Sequence, residues 1–341
     1  MEEELIQELK KFKRKKILVV GDLLLDKFSF GKVERTNPEQ PAAPLVKIIK
    51  EKYVLGGAAN VANNLSSLGA SCSLYGVIGR DFGGEKIKRL CKNKGIKFKS
   101  FYHNQPTILK QRIVAHGQHI TRLDFGERKI KKINENIQEK IINLLKKEIK
   151  NFDFIILTDY DKFFFNENLA RKILELAMEN NIPTLVDPKP CNLHFFKNCT
   201  VICPNKKEAE EMAGIKDFND EEETLIKMGE KLAENIQTKY IIITCGERGA
   251  FYYNKEGENM FIESQAREVS DVTGAGDTFA AVLSLGLASG LNITKAIRLA
   301  NYASGVVVEK IGTAVPFVEE VIKKIKQNNK KEFSKKRIKK C

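Results

Sequence analysis

The segment Asp271-Val272-Thr273-Gly274-Ala275-Gly276-Asp277-Thr278 sets a carboxylate and a hydroxyl directly after a Gly-Ala-Gly turn, and a small-residue apolar run, Phe279 to Leu283, follows at once. Glycines on either side of Ala275 allow a tight bend that presents successive N–H groups at a helix start, where the helix dipole adds roughly half a positive charge. That is an anion site. Asp277 at its rim can take a proton from a hydroxyl while Gly274, Ala275 and Gly276 hold a phosphoryl group with their amides. The same residues also describe a plain helix cap on a glycine turn. On this segment alone both readings stand.

Gly56-Gly57-Ala58-Ala59-Asn60 is a second glycine-rich turn that opens a helix. Gly56 and Gly57 would let a ligand approach the backbone, and Asn60 offers donor and acceptor to sugar hydroxyls; the bland alternative is again a helix start. Several apolar runs end in polar tips, at Asp22 (with Asp26 four residues on), Asp159, Asp187 and Thr244. Lys162, Lys189, Asn205, Lys206, Lys207, Glu208 and the stretch Thr244 to Gly249 add polar or cationic groups just beyond them. Ligands of open α/β sheets bind beyond the carboxyl ends of the strands, so these tips converge on one site if the strands are parallel. Asp22 is then placed to hold a polyol. Other nucleotide signatures fail: Gly79 to Lys86 has Glu85 where a P-loop needs lysine, and Gly274-Ala275-Gly276 lacks the third glycine of GxGxxG. His103, His116, His119 and His194 have no partner spacing and read as surface residues.

The elements that must position these groups follow from periodicity. Strands are expected at Ile17–Val20, Ser73–Val77, Phe154–Leu157, Thr184–Val186, Val201–Ile202 and Tyr240–Ile243, and helices most clearly at Asn60–Leu68, Asn166–Asn180, Lys206–Ala213, Glu221–Ile236 and Asp277–Ser289. Alternation of near-continuous Val/Ile/Leu runs with amphipathic stretches predicts an α/β fold, a doubly wound, mostly parallel sheet with helices on both faces. Leu45 to Leu55 and Ile108 to Phe125 break that rhythm. They are too polar for the buried sheet and are expected to form a small antiparallel β lid, its cations Lys110, Arg112 and Arg122 over a pocket. The organisation expected is a charged N-terminal extension (1–16), one domain (17–316) with lid segments near 28–55 and 106–125, and a basic C-terminal helix or tail (317–341).

Composition narrows the class. The 341 residues are 42% hydrophobic with a formal net charge of +14, enough chain to bury a large core without staples. No run approaches the roughly 18 apolar residues of a membrane span, and Met1-Glu2-Glu3-Glu4 is the opposite of a cationic secretory n-region. A cytoplasmic protein without a membrane partner is expected. Seven cysteines include no CxxC pair, and Cys199 and Cys203 have only His194 nearby, so reduced thiols rather than a zinc site are expected. Phe317 to Cys341 carries ten Lys and Arg against three acids. A nucleic-acid-binding arm is the competing function, but the tail lacks an aromatic ladder for stacking bases, and a solvated tail with no nucleic-acid partner is preferred.

Asp271 to Asp277, Gly56 to Asn60 and Asn205-Lys206-Lys207-Glu208 resemble the ribokinase-like (PfkB) carbohydrate kinases. A longer ordered set resembles that family's branch acting on D-glycero-D-manno-heptose 7-phosphate: Val20 to Asp26, Arg35-Thr36-Asn37-Pro38-Glu39, Lys110-Gln111-Arg112, Arg122 to Phe125, Asp159-Tyr160-Asp161-Lys162, Asp187-Pro188-Lys189, Pro204-Asn205 and Lys310-Ile311-Gly312-Thr313-Ala314. The similarity runs from about Ile17 to about Pro316. It implies a ribokinase-like fold and ATP-dependent phosphorylation of the anomeric hydroxyl, giving the 1,7-bisphosphate on the way to an ADP-heptose for lipopolysaccharide; a kinase for another sugar or sugar phosphate is the alternative. It further implies Asp277 as catalytic base with Gly274, Ala275 and Gly276 as anion hole. Asn205, Lys206, Lys207 and Glu208 would serve Mg2+ and the nucleotide phosphates, Glu208 reaching the metal through water. Thr244, Gly246 and Gly249, with Asn301, would line the nucleotide pocket. Asp22, Asp26, Gly56, Gly57, Asn60, Asp159 and Asp187 fall to the sugar, and a homodimer paired through the lid is expected. A phosphorylated sugar also needs cations distant from the reacting hydroxyl, for which Lys110, Arg112, Arg122, Lys162 and Lys189 are the candidates. A monovalent-cation requirement is left open. Two departures stand out. Phe163 replaces the glycine that usually follows the family's Asp-Tyr-x-Lys, which would reshape the pocket wall. No second, nucleotidyl-transferring domain with a GxxH-like motif is found, so adenylyl transfer is expected from a separate protein.

Overall fold

Ile17, Leu18, Val19 and Val20 are all fully buried, and their strand β1 (Lys16–Gly21) shows why the run is continuous rather than alternating. Successive side chains point to opposite faces, so Ile17 and Val19 enter one apolar cluster while Leu18 and Val20 enter another. This computed structural model describes residues 2–36, 43–126, 133–215, 221–265, 269–310 and 312–338, with side chains omitted at 34–36 and 329–338. Asn37, Pro38, Glu39, Ile311 and Cys341 lie outside the described residues.

Helix α1 (Glu2–Lys11) precedes β1. After β1 come β2 (Leu23–Thr36), β3 (Pro44–Gly57), α2 (Ala58–Ser67), β4 (Ser71–Ile78), α3 (Phe82–Asn93), β5 (Lys97–Tyr102), β6 (Ile108–Ala115), β7 (Gln118–Phe125), α4 (Glu135–Glu148) and β8 (Phe154–Thr158). Then follow α5 (Glu167–Glu179), β9 (Thr184–Asp187), β10 (Val201–Ile202), α6 (Lys206–Ala213), α7 (Glu221–Ile236), β11 (Tyr240–Thr244), β12 (Gly249–Asn254), β13 (Asn259–Glu263), α8 (Ala275–Ala288), α9 (Ile293–Val307) and α10 (Val318–Ile338).

Among the described residues the larger sheet has nine strands in the order β13-β12-β11-β10-β9-β8-β1-β4-β5. It is parallel from β11 to β5, and the β12–β13 hairpin closes one edge antiparallel. Buried residues of α1, α2, α3, α8, α9 and α10 pack on one face, and those of α4, α5, α6 and α7 on the other. From β1 the chain winds outward through β4 and β5 on one side, and from β8 through β11 on the other. The boundary between β1 and β8 is therefore a switch point, where such sheets open a crevice. Gly21, Thr158 and Asp187 stand in register there, and Asn205 bridges Thr244.

The second sheet, β3-β2-β6-β7, is the lid. Its outer pairs are antiparallel as expected from the sequence, but β2 and β6 run parallel. Both strands leave the body at one point, Leu24 beside Ile108, and so must travel outward together. Sequence patterning placed β2 in the lid only from about residue 28 and named no strand there, because its first residues, Leu23 to Leu25, are buried at the body while the rest serves the lid. The expected basic C-terminal helix is present as α10, but both chain ends also pack on the body. Leu5, Leu9 and Phe12 are buried, as are Val321 and Ile325 of α10, and α1 packs on α10. Apolar residues four apart form a stripe on each helix, and both stripes join the core. Cys72, Cys91, Cys199 and Cys203 are buried free thiols, and Cys191 is exposed. No helix among the described residues is long and apolar enough to cross a membrane.

Candidate active site

Gly274 sits at the N-cap of α8 with φ +83, in the left-handed region, and a Cβ there would lie 2.9 Å from Asn60 Nδ2. Conformation and space both call for glycine. Gly276, two residues on, is the opposite case: a Cβ would meet nothing within 4 Å, so open space lies against the first turn of the helix. Asp277 is 8% exposed. Its Oδ2 accepts from Asn60 Nδ2 at 2.6 Å, and its Oδ1 accepts from the Tyr160 hydroxyl. One turn further in, the Thr278 hydroxyl donates to Asn64 Oδ1 at 2.7 Å, and Asn64 Nδ2 donates to the Asn60 carbonyl at 2.9 Å. Helices α2 and α8 meet through small residues, including Ala58, Ala59 and Ala62 on one and Ala280 and Ala281 on the other, which brings these polar pairs within reach. Burial pushes the Asp277 carboxyl up to about 6; the Tyr160 and Asn60 hydrogen bonds oppose the rise, Asp26 adds to it, and Lys189 pulls it back.

The strand tips converge, but their carboxylates have different work. Asp22 is buried, its Oδ2 accepting from the Tyr160 and Lys162 amides at 2.8 and 3.1 Å and its Oδ1 from the Phe164 amide at 3.1 Å. Asp161 (φ +54) and Phe163 (φ +67), both left-handed, alternate with those three donors. Such alternation curls the backbone into an anion-binding nest, and the anion here is the protein's own. Asp22, expected from sequence to hold a polyol, is committed to three amides. Burial and Asp159 push it up to about 7 against their pull. Asp159 likewise ties loops together: Oδ1 accepts from the Asp161 amide at 2.8 Å, and Oδ2 from the Lys189 amide at 3.2 Å and Asn192 Nδ2 at 2.9 Å. Asp187 is raised well above the carboxylate range by burial first, then by Glu208 and Asp277, with Lys189 opposing.

Glu208 and Asn205 form a reciprocal cap at the start of α6, the Glu208 amide donating to Asn205 Oδ1 at 2.9 Å and the Asn205 amide to Glu208 Oε2 at 3.0 Å. The other Glu208 oxygen accepts from Lys189 Nζ. Lys189, Glu208, Asp187 and Asp277 thus form one electrostatic cluster. Beyond it, Thr244 ends β11 and Gly246 turns with φ +59. Gly249 has φ +126, and a Cβ there would run into the Ile262 carbonyl.

The lid supplies a second group. Asp26 is buried on β2 and pairs with Arg112 of β6, whose guanidinium carbon also lies 5.5 Å from the Phe28 ring centroid. Lys110 stands in register between Asp26 and Asp124. Burial pushes Asp26 up, while Arg112, Lys110 and Arg122 oppose the rise. A Cβ at Gly56 would collide with the Asp26 carboxylate, and one at Gly57 (φ +58) would lie 2.5 Å from the Asp22 carbonyl. The close approach expected of a ligand at these glycines is made by the protein itself. His119 Nε2 on β7 reaches Asp271 Oδ2 at 3.8 Å, so the lid touches the start of the anion loop.

Several expected residues stand apart from this cluster. Arg122 is ion-paired to Asp124 and its side chain is 56% exposed. Lys206 pairs with Glu221 at 3.3 Å, and Lys207 is exposed. Asn301 is buried, its Nδ2 donating to the Ile262 and Glu263 carbonyls at 3.1 Å each, which fastens α9 to β13. The Lys162 amide is held by Asp22, and Phe163 is half-exposed beside it. Tyr160 and Asn64 had no assigned role in the sequence. The signal for Asn64 was its spacing of four from Asn60 on a small-residue helix; for Tyr160 it was a phenol directly after a strand-tip aspartate.

Residues 14–320 match the family described as pfkB family carbohydrate kinase. The chain is 39% identical over 306 residues to the bifunctional protein HldE of a Nitratiruptor species, covering 90% of this chain and 64% of that protein. To HldE of Geobacter sulfurreducens it is 37% identical over 307 residues, covering 89% and 62%. It thus spans slightly less than two thirds of these relatives' length. Escherichia coli phosphofructokinase-2, solved with substrates and products, superposes with a TM-score of 0.74 at 15% identity over 92% of this chain and 99% of that one. Arabidopsis thaliana ribokinase, solved with ribose and ATP, gives 0.68 at 18% identity over 92% and 99%. These two show the ribokinase-like fold.

Proposed function

The chain belongs to the pfkB family of carbohydrate kinases, and we propose that it transfers the γ-phosphoryl group of ATP to the anomeric hydroxyl of D-glycero-D-manno-heptose 7-phosphate. The observation that carries the chemistry is Asp277: a buried carboxylate in the first turn of α8, beside the open space at Gly276 and held from two sides by Asn60 and Tyr160. Phosphoryl transfer asks mostly for positioning and charge neutralisation. The Gly274–Gly276 amides and the positive end of α8 receive the migrating phosphoryl group, while Asp277 accepts the proton of the attacking hydroxyl. A carboxyl titrating at about 6 is ionised at neutral pH yet more basic than a solvated aspartate, which suits a general base.

Among the described residues no cluster of three or more His, Cys, Asp or Glu is arranged to ligate a metal directly. Mg2+ keeps several waters and takes one or two carboxylates plus substrate phosphates. Asp187 at the end of β9 and Glu208 in the first turn of α6, with Lys189 partly offsetting them, fit that role. Bound there, the ion would neutralise nucleotide phosphate charge.

The sugar phosphate is supported by the HldE relatives and by the lid, whose Arg112 and Lys110 stand over the sugar side around Asp26. The product would be the 1,7-bisphosphate, a precursor of ADP-heptose. Exposed Ile48, Ile49, Leu123 and Phe125 on lid strands β3 and β7 support pairing of two lids in a homodimer, which light scattering of the purified chain checks. The deciding experiment is ADP release with heptose 7-phosphate, fructose 6-phosphate, fructose and ribose. Turnover only with an unphosphorylated sugar, or only with fructose 6-phosphate, refutes the heptose assignment.

A further inference from the structure

We infer that Tyr160 is a positioning residue for phosphoryl transfer: its hydroxyl, held on Asp277 by a loop that the buried Asp22 carboxylate clamps, orients the base and keeps it ionised. This rests on the reading of Asp277 as the base.

A carboxylate acts as a base only while it is charged and aimed, and burial works against the charge. Two donors reach Asp277, Asn60 Nδ2 on one oxygen and the Tyr160 hydroxyl on the other. A carboxylate has about four acceptor positions, so both donors can stay in place while the sugar hydroxyl binds. Tyr160 serves as a donor only. Its phenol is raised well above its ordinary value by burial and then by Asp277 and Asp187, and Lys189 Nζ lies 5.7 Å from its ring centroid.

The loop is also tied by Asp159, whose Oδ1 accepts from the Asp161 amide, and by the buried Phe164 and Phe165 that follow. Asp161 and Phe163 adopt left-handed backbone that side chains disfavour. What that strain secures is the convergence of the Tyr160, Lys162 and Phe164 amides on Asp22. The Asp22 carboxylate is itself buried and makes no other hydrogen bond among the described residues. Strain, nest and buried anion together fix the one residue of the loop that touches Asp277. The charged and titratable groups facing Asp277 are Asp26 from β2, Asp187 and Lys189 from the end of β9, and Tyr160 itself; Asp26 pushes its proton affinity up, Lys189 pulls it down, and Tyr160 is the hydrogen bond that opposes the rise most.

The test is the pH dependence of kcat/KM for the sugar phosphate, from about pH 5 to about pH 8.5, in the full chain. Tyr160→Phe should move the acid limb upward by about one pH unit, the usual worth of one hydrogen bond to a charged acceptor. KM for ATP should stay within about twofold, because Phe keeps the ring under Lys189 Nζ, the contact with the nucleotide side, and loses only the hydroxyl on Asp277. A purely structural role would lower the plateau and leave the limb in place, which overturns the inference. Incorporation of 3-fluorotyrosine at position 160, a stronger donor of the same shape, should move the limb downward; an unmoved limb there also overturns it, and covers the case in which the Phe variant does not fold. Asp277→Asn separates the two levels. If that variant keeps turnover, the base assignment fails; if it is inactive while Tyr160 changes leave the limb unmoved, only the role of Tyr160 fails.

Discussion

Replacing Asp277 by Asn separates the two readings of the Gly-Ala-Gly-Asp segment, because base and helix cap predict opposite signs for stability. The folded-state value of about 6 lies above the ordinary 3.8 of an aspartate. A group so raised stabilises the fold fully below the lower value and loses that contribution as pH rises through the upper one. Above about pH 7 the buried charge therefore costs about 3 kcal/mol, from a shift of roughly two units at about 1.36 kcal/mol each. Asn removes the charge but offers one acceptor oxygen, so either the Tyr160 hydroxyl or Asn60 Nδ2 loses its partner, costing about 1–2 kcal/mol. The net expectation at about pH 7.5 is a gain of about 1 kcal/mol, read as a rise in Tm of about 1–3 °C, while kcat falls by about a hundredfold or more. A cap would behave otherwise. Losing an acid from the first helical turn costs about 0.3–1 kcal/mol through the dipole, with near-normal turnover. Differential scanning fluorimetry and ADP release on one preparation decide between them. A lowered Tm together with turnover within about tenfold of wild type would refute the reasoning.

The wild-type kcat/KM should itself fall on the acid side with a limb at about 6, dropping about tenfold between about pH 7 and about pH 5 as the base protonates; a profile flat down to that lower pH contradicts the assigned base. Gly274→Ala, at φ +83 and 2.9 Å from Asn60 Nδ2, should destabilise by about 1–2 kcal/mol, whereas Gly276→Ala should melt like wild type and weaken nucleotide use, since its Cβ enters open space. Equal thermal losses in both variants would show that the open space is not a ligand site. Arg112→Gln should raise KM for the sugar phosphate about tenfold or more, in line with a charge-assisted contact of about 1.5–3 kcal/mol, with KM for ATP unchanged; a parallel change in both constants would mean that Arg112 only holds Asp26.

Local pattern carried much of the architecture. Val201–Ile202, Lys206–Ala213 and Glu221–Ile236 fall within the same bounds in sequence and structure, because each is a short apolar run or an amphipathic stretch with clear ends. The β12–β13 hairpin was not legible. Its first strand is buried throughout, including Tyr252 and Tyr253, while its second is mostly exposed, so neither shows the pattern of a half-buried strand. The lid was visible as two polar insertions but not as a mixed sheet, since β2 changes from buried to lid-forming within one strand.

The candidate site divides along the same line. The anion loop, its glycines and the carboxylate after them are contiguous, so backbone freedom, helix polarity and residue type could be read from the chain by itself. The duties of the other aspartates could not. Asp22 takes its partners from residues 138, 140 and 142 positions away, and Tyr160 reaches Asp277 across 117. Which buried carboxylate is held by backbone amides and which by the side chains of Asn60 and Tyr160 depends on where distant loops come to rest. Hydrogen bonding and burial act through space, and only the packed sheet, with β8 beside β1 and α2 against α8, decides those distances.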